Sequence, residues 1–368
     1  MINYSDDQKK QINELRKQLG TLPEQVPDLD VKEIESLIDD PTKWEVNKMG
    51  IKVGPFQFYE GVRGVSAELI DNTTNPYKVL YEIAVATWGP EEYPTMWGKA
   101  SPENRFYIVK NVLRGKALPL GNEAVNFTFI MRGPSRAAFD QHARQRIGAV
   151  FASQGVRDNS RLLSGFRMPN EVWRNEDKRN EVIKHVLRSK ILYYNLVRKD
   201  GGNNSYQAAR CIFEMGWTHN YKYSVNYEAL KGYMSRRLVA SEQEDTVATA
   251  LAIWNEINKK FPLLATRLRP KCDWAGRCLC HQGSGDEVFG ALFKGCGRFL
   301  ETESNYATFN WACSDYNLLE EQTGINLPYP AIDYWKEKGK NVWKDVENYE
   351  DLADSDKALF EEDYKPSN

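Results

Sequence analysis

Between Glu123 and Arg161 the chain carries an apolar run, a break and a fresh start, and that order leaves few folds open. Val125 to Met131 is apolar, β-branched and aromatic, the composition of a buried strand. Gly133-Pro134 interrupts it, and Ser135 is placed to cap a following helix. On that predicted helix Phe139, Ala143, Ile147 and Val150 recur at three- and four-residue spacing and form the apolar face. Gln141 and Arg144 are then neighbours one turn apart, while Arg146 points to nearly the opposite side. Two arginines so placed can serve two different ligands.

The arginine usage around this helix is selective. No lysine occurs from Ala117 to Asp177, whereas Arg132, Arg136, Arg144, Arg146, Arg157, Arg161, Arg167 and Arg174 all fall there. A merely solvated face mixes both cations. Arginine alone favours the rigid fork that grips phosphates and carboxylates in bidentate fashion. Structural ion pairs are the competing reading, because the chain has 51 carboxylate side chains to pair with.

A length of 368 residues is enough for one large core or two modest ones. The net charge of −2 argues against general nucleic-acid binding, so any phosphate site is local. No apolar run reaches the roughly eighteen residues of a membrane span, and the N-terminus MINYSDDQKKQ lacks a signal-peptide core. The expectation is a soluble, intracellular (cytoplasmic) protein without a membrane partner. Four of the six cysteines crowd into 272–296, unlike a spread disulfide framework.

Residues 1–45 read as charged helices, part of an appendage spanning 1–53. A core over 54–262 follows, with a strand at Val65–Ile70, a helix opened by Asn75-Pro76 and running through Ala86, and a helix from Ser101 to Leu113 stopped at Gly115. After the strand and arginine helix come helices near 180–199, 205–213, 227–237 and 242–260. Residues 263–368 form an extension with a Gly/Cys-rich loop and an acidic end from Asp345 to Asp363, expected to be a solvated surface segment. The fold class is α/β in the broad α+β sense: a central sheet packed with helices.

Several separated segments of 62–260 together resemble the flavin-dependent thymidylate synthases. VSAELIDNTTNP is similar to that family's opening strand and helix start, and SPENRFYIVKNVLRGKALPLGNEAVNFTF to its helix, Gly turn and Glu-containing loop. SRAAFDQHARQRIG looks like the signature helix, with Gln141 three residues before the triplet Arg144, Gln145, Arg146. Arg210 ends an Ala-Arg segment, and Asn226, Arg237 and Gln243 follow at matching intervals. The resemblance implies FAD bound at the interfaces of a homotetramer, with NADPH and methylenetetrahydrofolate as co-substrates. The one-carbon unit goes to carbon 5 of a pyrimidine deoxynucleotide monophosphate, dUMP giving dTMP. By position Gln141, Arg144, Ser153, Arg157, Arg210 and Arg237 hold the nucleotide, and Glu123, Arg144, Gln145, Arg146 and Asn226 face the flavin. Arg237 is the catalytic candidate, because a uracil ring gaining charge at a carbonyl oxygen wants a fixed guanidinium beside it.

The departures fall on ligand positions. Gln145 replaces the triplet's histidine, Ala152 stands at a glutamate position, and Glu228 replaces the arginine of an Asn-x-Arg pair. The Gly-turn histidines are absent, with Lys116 and Asn122 near them. Neither Ser153 with Arg157 nor Ser160 with Arg161 sits in the family's register. Such changes fit an altered base or acceptor, such as a dUMP or dCMP hydroxymethylase, or a nucleotide- and flavin-binding relative without turnover.

Elsewhere, Cys272, Cys278, Cys280, His281 and Cys296 have the ligand chemistry of a structural zinc site, but C-x5-C-x-C-H is not the paired C-x2-C spacing; no metal is assigned to the site. GSGDEVFG at 283–290 lacks the strand and the Lys-Ser/Thr ending of a phosphate loop. His142, His185 and His219 have no Ser or Cys partner at informative spacing, and Ser164-Gly165 lacks the nucleophile-elbow pattern. Hydrolase chemistry is therefore poorly supported.

Overall fold

The computed structural model describes residues 28–86, 95–117, 119–153, 160–200, 203–239, 242–270, 316–325 and 346–364, with isolated positions before residue 28. Its strands are β1 (Glu45–Asn47), β2 (Gly50–Val53), β3 (Phe56–Glu60), β4 (Ser66–Asn72), β5 (Asn126–Arg132), β6 (Ala149–Ser153), β7 (Phe166–Met168) and β8 (Tyr221–Asn226). The helices that matter here are α1 (Val31–Asp39), α2 (Pro76–Ala86), α3 (Pro102–Leu113), α4 (Gly121–Ala124), α5 (Arg136–His142), α6 (Glu176–Asp200), α7 (Asn203–Ala209), α8 (Tyr227–Arg237), α9 (Glu244–Lys260) and α10 (Asp354–Glu361).

The strands form two sheets rather than one. The larger is antiparallel throughout, in the order β4-β5-β8-β6. β5 sits inside it and alternates by the two-residue period of a strand, turning Phe127, Phe129 and Met131 inward. β8 does the same with Tyr221, Tyr223 and Val225. Onto this face α9 lays Val247, Ala248, Leu251, Ile253 and Trp254, all buried in the same core. Burial of each of the larger aliphatic side chains contributes roughly 1.5–3 kcal/mol, which anchors the strands whose ends carry the site. The smaller sheet has the order β1-β2-β3-β7, with β7 parallel to β3. Its core joins Ile34 and Ile38 of α1 to Phe56, Phe58 and the buried side of α6.

The starts and stops written in the chain hold locally. Ser101 accepts from the backbone N of Asn104 and caps α3, and Gly115 takes φ +70° just beyond its end. The hydroxyl of Ser135 accepts from the N of Ala138 at 3.1 Å and opens α5. The arginine helix ends at His142 instead of continuing to Val150. Gly148 adopts φ +69°, and the chain then pairs with the free edge of β8, leaving Ile147 and Val150 exposed. The open hydrogen-bonding edge of β8 wins over the helical period.

The acidic end is not a solvated segment over its described part. Phe360 is fully buried and stacks on Tyr77 of α2, with centroids 4.6 Å apart. The Tyr77 hydroxyl donates to Asp356, whose other oxygen accepts from the backbone N of Leu263 at 2.9 Å. The buried guanidinium of Arg105 in α3 donates to the carbonyl of Glu362 at 2.8 Å and stacks 4.2 Å over the Trp97 ring. Leu352, Asp356 and Phe360 of this stretch turn inward and close the α2–α3 side of the core, while its other described carboxylates are exposed. No helix among the described residues is long and apolar enough to cross a membrane.

Candidate functional site

The turn after α5, the start of α8 and the short helix α4 enclose a cleft of about 450 Å³. Glu123, Arg144, Gln145, Arg146 and Asn226 all line it, together with Glu228, Ala229, Gly232 and Arg236. Asn226 closes β8 and caps α8, its side-chain oxygen accepting from the N of Ala229 at 2.8 Å. Its backbone N donates to the carbonyl of Gly148 at 2.9 Å, which ties the arginine turn to the strand end. Because α5 stops at His142, Arg144 and Arg146 do not diverge across a helix. Both face this one cleft, exposed and without an ion-pair partner among the described residues.

Gln145 explains how the turn is held. Its amide oxygen accepts from the buried hydroxyl of Tyr223 at 2.8 Å, and its nitrogen donates to the carbonyl of Ala229 at 2.5 Å. The glutamine thereby bridges β8 and α8 and sets the arginines on either side of it. A neutral imidazole offers the same acceptor-and-donor pair, which accounts for a glutamine at this position in chemical terms. Glu228 is likewise engaged: its Oε2 accepts from Asn122 Nδ2 at 2.9 Å and pairs with Lys231 at 2.7 Å.

The expected nucleotide residues do not gather in a single place. Gln141 and Arg237 meet at the start of α9. Arg237 pairs with Glu242 at 2.7 Å and donates to the Gln141 carbonyl at 3.4 Å. The Gln141 amide donates to Gln243 at 3.2 Å and accepts from Thr246 at 3.3 Å. Gln243 in turn lines a largely apolar cleft of about 280 Å³ with Ser135, Arg167 and Asp245. Arg210 lies in another cleft of about 590 Å³, beside Arg136, Arg161, Ser164, Trp217, Thr218 and His219; Met215 is common to both walls. Ser153 is exposed on β6 and lines none of these clefts. Arg157 lies outside the described residues, as do the cysteine cluster with His281 and the 283–290 loop. Among the described residues no group of His, Cys, Asp or Glu could hold a metal ion.

The arginine-only run divides between structure and site. Arg167 is buried and spends its guanidinium on the carbonyls of Gly133, Gly61 and Arg63. Arg132 pairs with Glu68 at 2.7 Å. Arg136 pairs with Asp140 at 3.0 Å and also reaches the Arg210 cleft. Thr218 and His219 were not singled out for that cleft. Thr218 takes a bridge position opposite Ser135, a pairing that only the folded chain creates.

His142 is fully buried under Tyr233, with centroids 4.2 Å apart, and its Nδ1 lies 2.7 Å from the Tyr221 hydroxyl. Burial, and then the nearby charge of Arg237, pulls its pKa down to about 3. A histidine depressed in the fold but ordinary when unfolded gives stability that is complete above the unfolded pKa near 6.5 and is lost as pH falls below it. The contribution lost between pH 7 and pH 5 is about 2 kcal/mol. His142→Gln should therefore lose about 2 kcal/mol less than the unaltered protein over that step, read by chemical denaturation at both pH values. Equal losses would contradict the assignment. Asp356 acts in the opposite sense: burial raises it to about 6, so its contribution grows as pH falls from about 6 toward 4.

An α+β protein with an antiparallel main sheet and arginine-lined clefts at its strand ends has the means to bind anionic, ring-bearing ligands. Residues 68–263, more than half of the chain, match the family described as thymidylate synthase complementing protein, and the chain belongs to that family. A flavin-dependent thymidylate synthase of Clostridium tetani is 25% identical over 224 residues, covering 57% of this chain and 88% of that protein. Another, from Nitratidesulfovibrio vulgaris, is 24% identical over 222 residues, covering 57% and 89%. A solved UMP/dUMP methylase from Streptomyces cacaoi, bound with 5-Br dUMP, is similar at 16% identity with a TM-score of 0.43, over 58% of this chain and 96% of that one.

Proposed function

We propose that this protein is an enzyme that transfers a one-carbon unit from methylenetetrahydrofolate to C5 of a pyrimidine deoxynucleotide, dUMP giving dTMP, with FAD as cofactor and NADPH as reductant. The observation that carries this reading is the single cleft formed by Glu123, Arg144, Gln145, Arg146 and Asn226. Its donor set suits a flavin: guanidinium groups for phosphates and for the ring edge that becomes anionic on reduction, and amides for the ring's hydrogen-bonding edge. When bound there, the flavin would supply the redox chemistry of the transfer. The chain's own residues bind and orient. Gln145 fixes the turn, Arg144 and Arg146 supply charge, and Asn226 holds the start of α8. Gln141, Arg144 and Arg210 are assigned to the nucleotide. Arg237, oriented by Glu242 and the Gln141 carbonyl, balances the charge that develops on the pyrimidine carbonyl oxygen. The Gln141–Arg237 cluster and Arg210 occupy different walls of one chain, which fits a homotetramer whose copies complete each other's sites.

A second reading, a hydroxymethyl rather than a methyl product, is favoured by one observation. Gln145 and Glu228, both departures from the family pattern, stand in the same cleft. The test for both is the absorption spectrum of purified protein, followed anaerobically with NADPH and either dUMP or dCMP, then the product mass. A flavin spectrum that bleaches faster with dUMP, and a methylated product, is the expected outcome. A product heavier by one oxygen selects the second reading. A colourless protein that takes up no FAD overturns both.

A further inference from the structure

Glu228 puts a carboxylate where the family pattern has a guanidinium, yet the cleft does not lose its cationic character. Glu228 is neutralised where it stands, by Lys231 at 2.7 Å and by the Asn122 amide at 2.9 Å. One face of α8 then passes along the cleft with Ala229, Gly232 and Arg236, positions three and four residues apart and therefore side by side. Ala229 and Gly232 leave the helix surface low. A methyl placed on Gly232 would find only Arg236 Nη2 within 4 Å, at 3.7 Å. Arg236 folds back over that low ground, its Nε donating to the carbonyl of Gly232 at 3.1 Å. This bond fixes the guanidinium plane and leaves both terminal amino groups free for a ligand. No carboxylate among the described residues pairs with Arg236, whereas its neighbour Arg237 is taken up by Glu242.

We propose that Arg236 is a specificity-determining residue of this cleft: with Arg144 and Arg146 it completes a trio of guanidinium groups that selects a phosphorylated flavin over bare riboflavin. The inference rests on the flavin reading above and adds to it the residue that reads the phosphate. A planar fork anchored at Nε is suited to bidentate contact with phosphate oxygens, and a neutral ribityl chain gains nothing comparable from it.

The test measures binding of FAD, FMN and riboflavin to the full chain by quenching of flavin fluorescence, for the unaltered protein, Arg236→Ala and Arg236→Lys. Arg236→Ala should weaken FAD and FMN by about tenfold and leave riboflavin and the melting temperature unchanged. Arg236→Lys should recover part of the loss, since it restores the charge without the fork. Equal weakening of all three ligands, or no weakening of any, overturns the inference and leaves the flavin reading standing. An unaltered protein that binds riboflavin as tightly as FAD also overturns it. An unaltered protein that binds none of the three overturns the flavin reading, and this inference with it.

Discussion

Arg237→Ala is expected to lower turnover by about 10²–10³-fold while leaving flavin affinity and melting temperature close to those of the unaltered protein. Arg237 closes α8, is only one-fifth exposed, and is aimed by two groups: Glu242 at 2.7 Å and the Gln141 carbonyl at 3.4 Å. A guanidinium fixed in this way costs little reorganisation when charge appears beside it, which is the condition for electrostatic stabilisation of a transition state. The bland alternative is that Arg237 merely ties α8 to the start of α9 through Glu242. The two separate in Arg237→Lys and Glu242→Gln. Under the proposed role, lysine restores only part of the rate, and Glu242→Gln weakens the rate by loosening the aim. Under the structural role, melting temperature falls and the rate per folded molecule stays constant. Single-turnover kinetics with dUMP, set beside thermal melts, decide between them.

Phe360→Ala should destabilise the fold by about 3–5 kcal/mol. Its ring is fully buried between Tyr77, Trp97, Phe106 and Tyr349. Removing it leaves a cavity that these aromatic rings, belonging to separate elements, cannot close. Beneath it, Arg105 would keep its charge buried while losing the order of the carbonyls that satisfy it. The consequence should reach the site. α4, which carries Glu123, packs on α2, and a methyl on Gly121 would meet Leu80 at 3.1–3.5 Å. Denaturant unfolding gives the stability change, and Glu361→Ala, whose carboxylate only reaches the Tyr349 hydroxyl at the surface, is the control expected within about 0.5 kcal/mol. Similar values for the two variants would show that α10 is not part of the cooperative core.

Much of this was legible from residues and their near neighbours. The β5 run, the cap at Ser135, the Asn75-Pro76 and Ser101 helix starts, and the Gly115 stop are all set by contacts within a few positions, and each forms as read. Glu123, Arg144, Gln145, Arg146 and Asn226 were also readable as one group, because their family-like spacing survives although the chemistry at Gln145 and Glu228 has changed. β8 was not: Tyr221–Asn226 is too short and too polar to stand out, and it becomes a strand only by lying between β5 and β6.

What the sequence determined by itself is therefore local: where elements begin, which side of each is apolar, and which residue types are available for binding. Only tertiary structure decided that α5 stops at His142, that Arg144 and Arg146 share one cleft, that Arg210 stands in a different one, and that the acidic end is bound into the core. Each of these turns on partners far apart along the chain. The β8 edge captures the residues after Gly148, the Tyr223 hydroxyl and the Ala229 carbonyl take hold of Gln145, and Tyr77 and Arg105 receive the residues around Phe360. A backbone group or a buried ring is satisfied by whatever the fold brings to it, and no local pattern records what that will be.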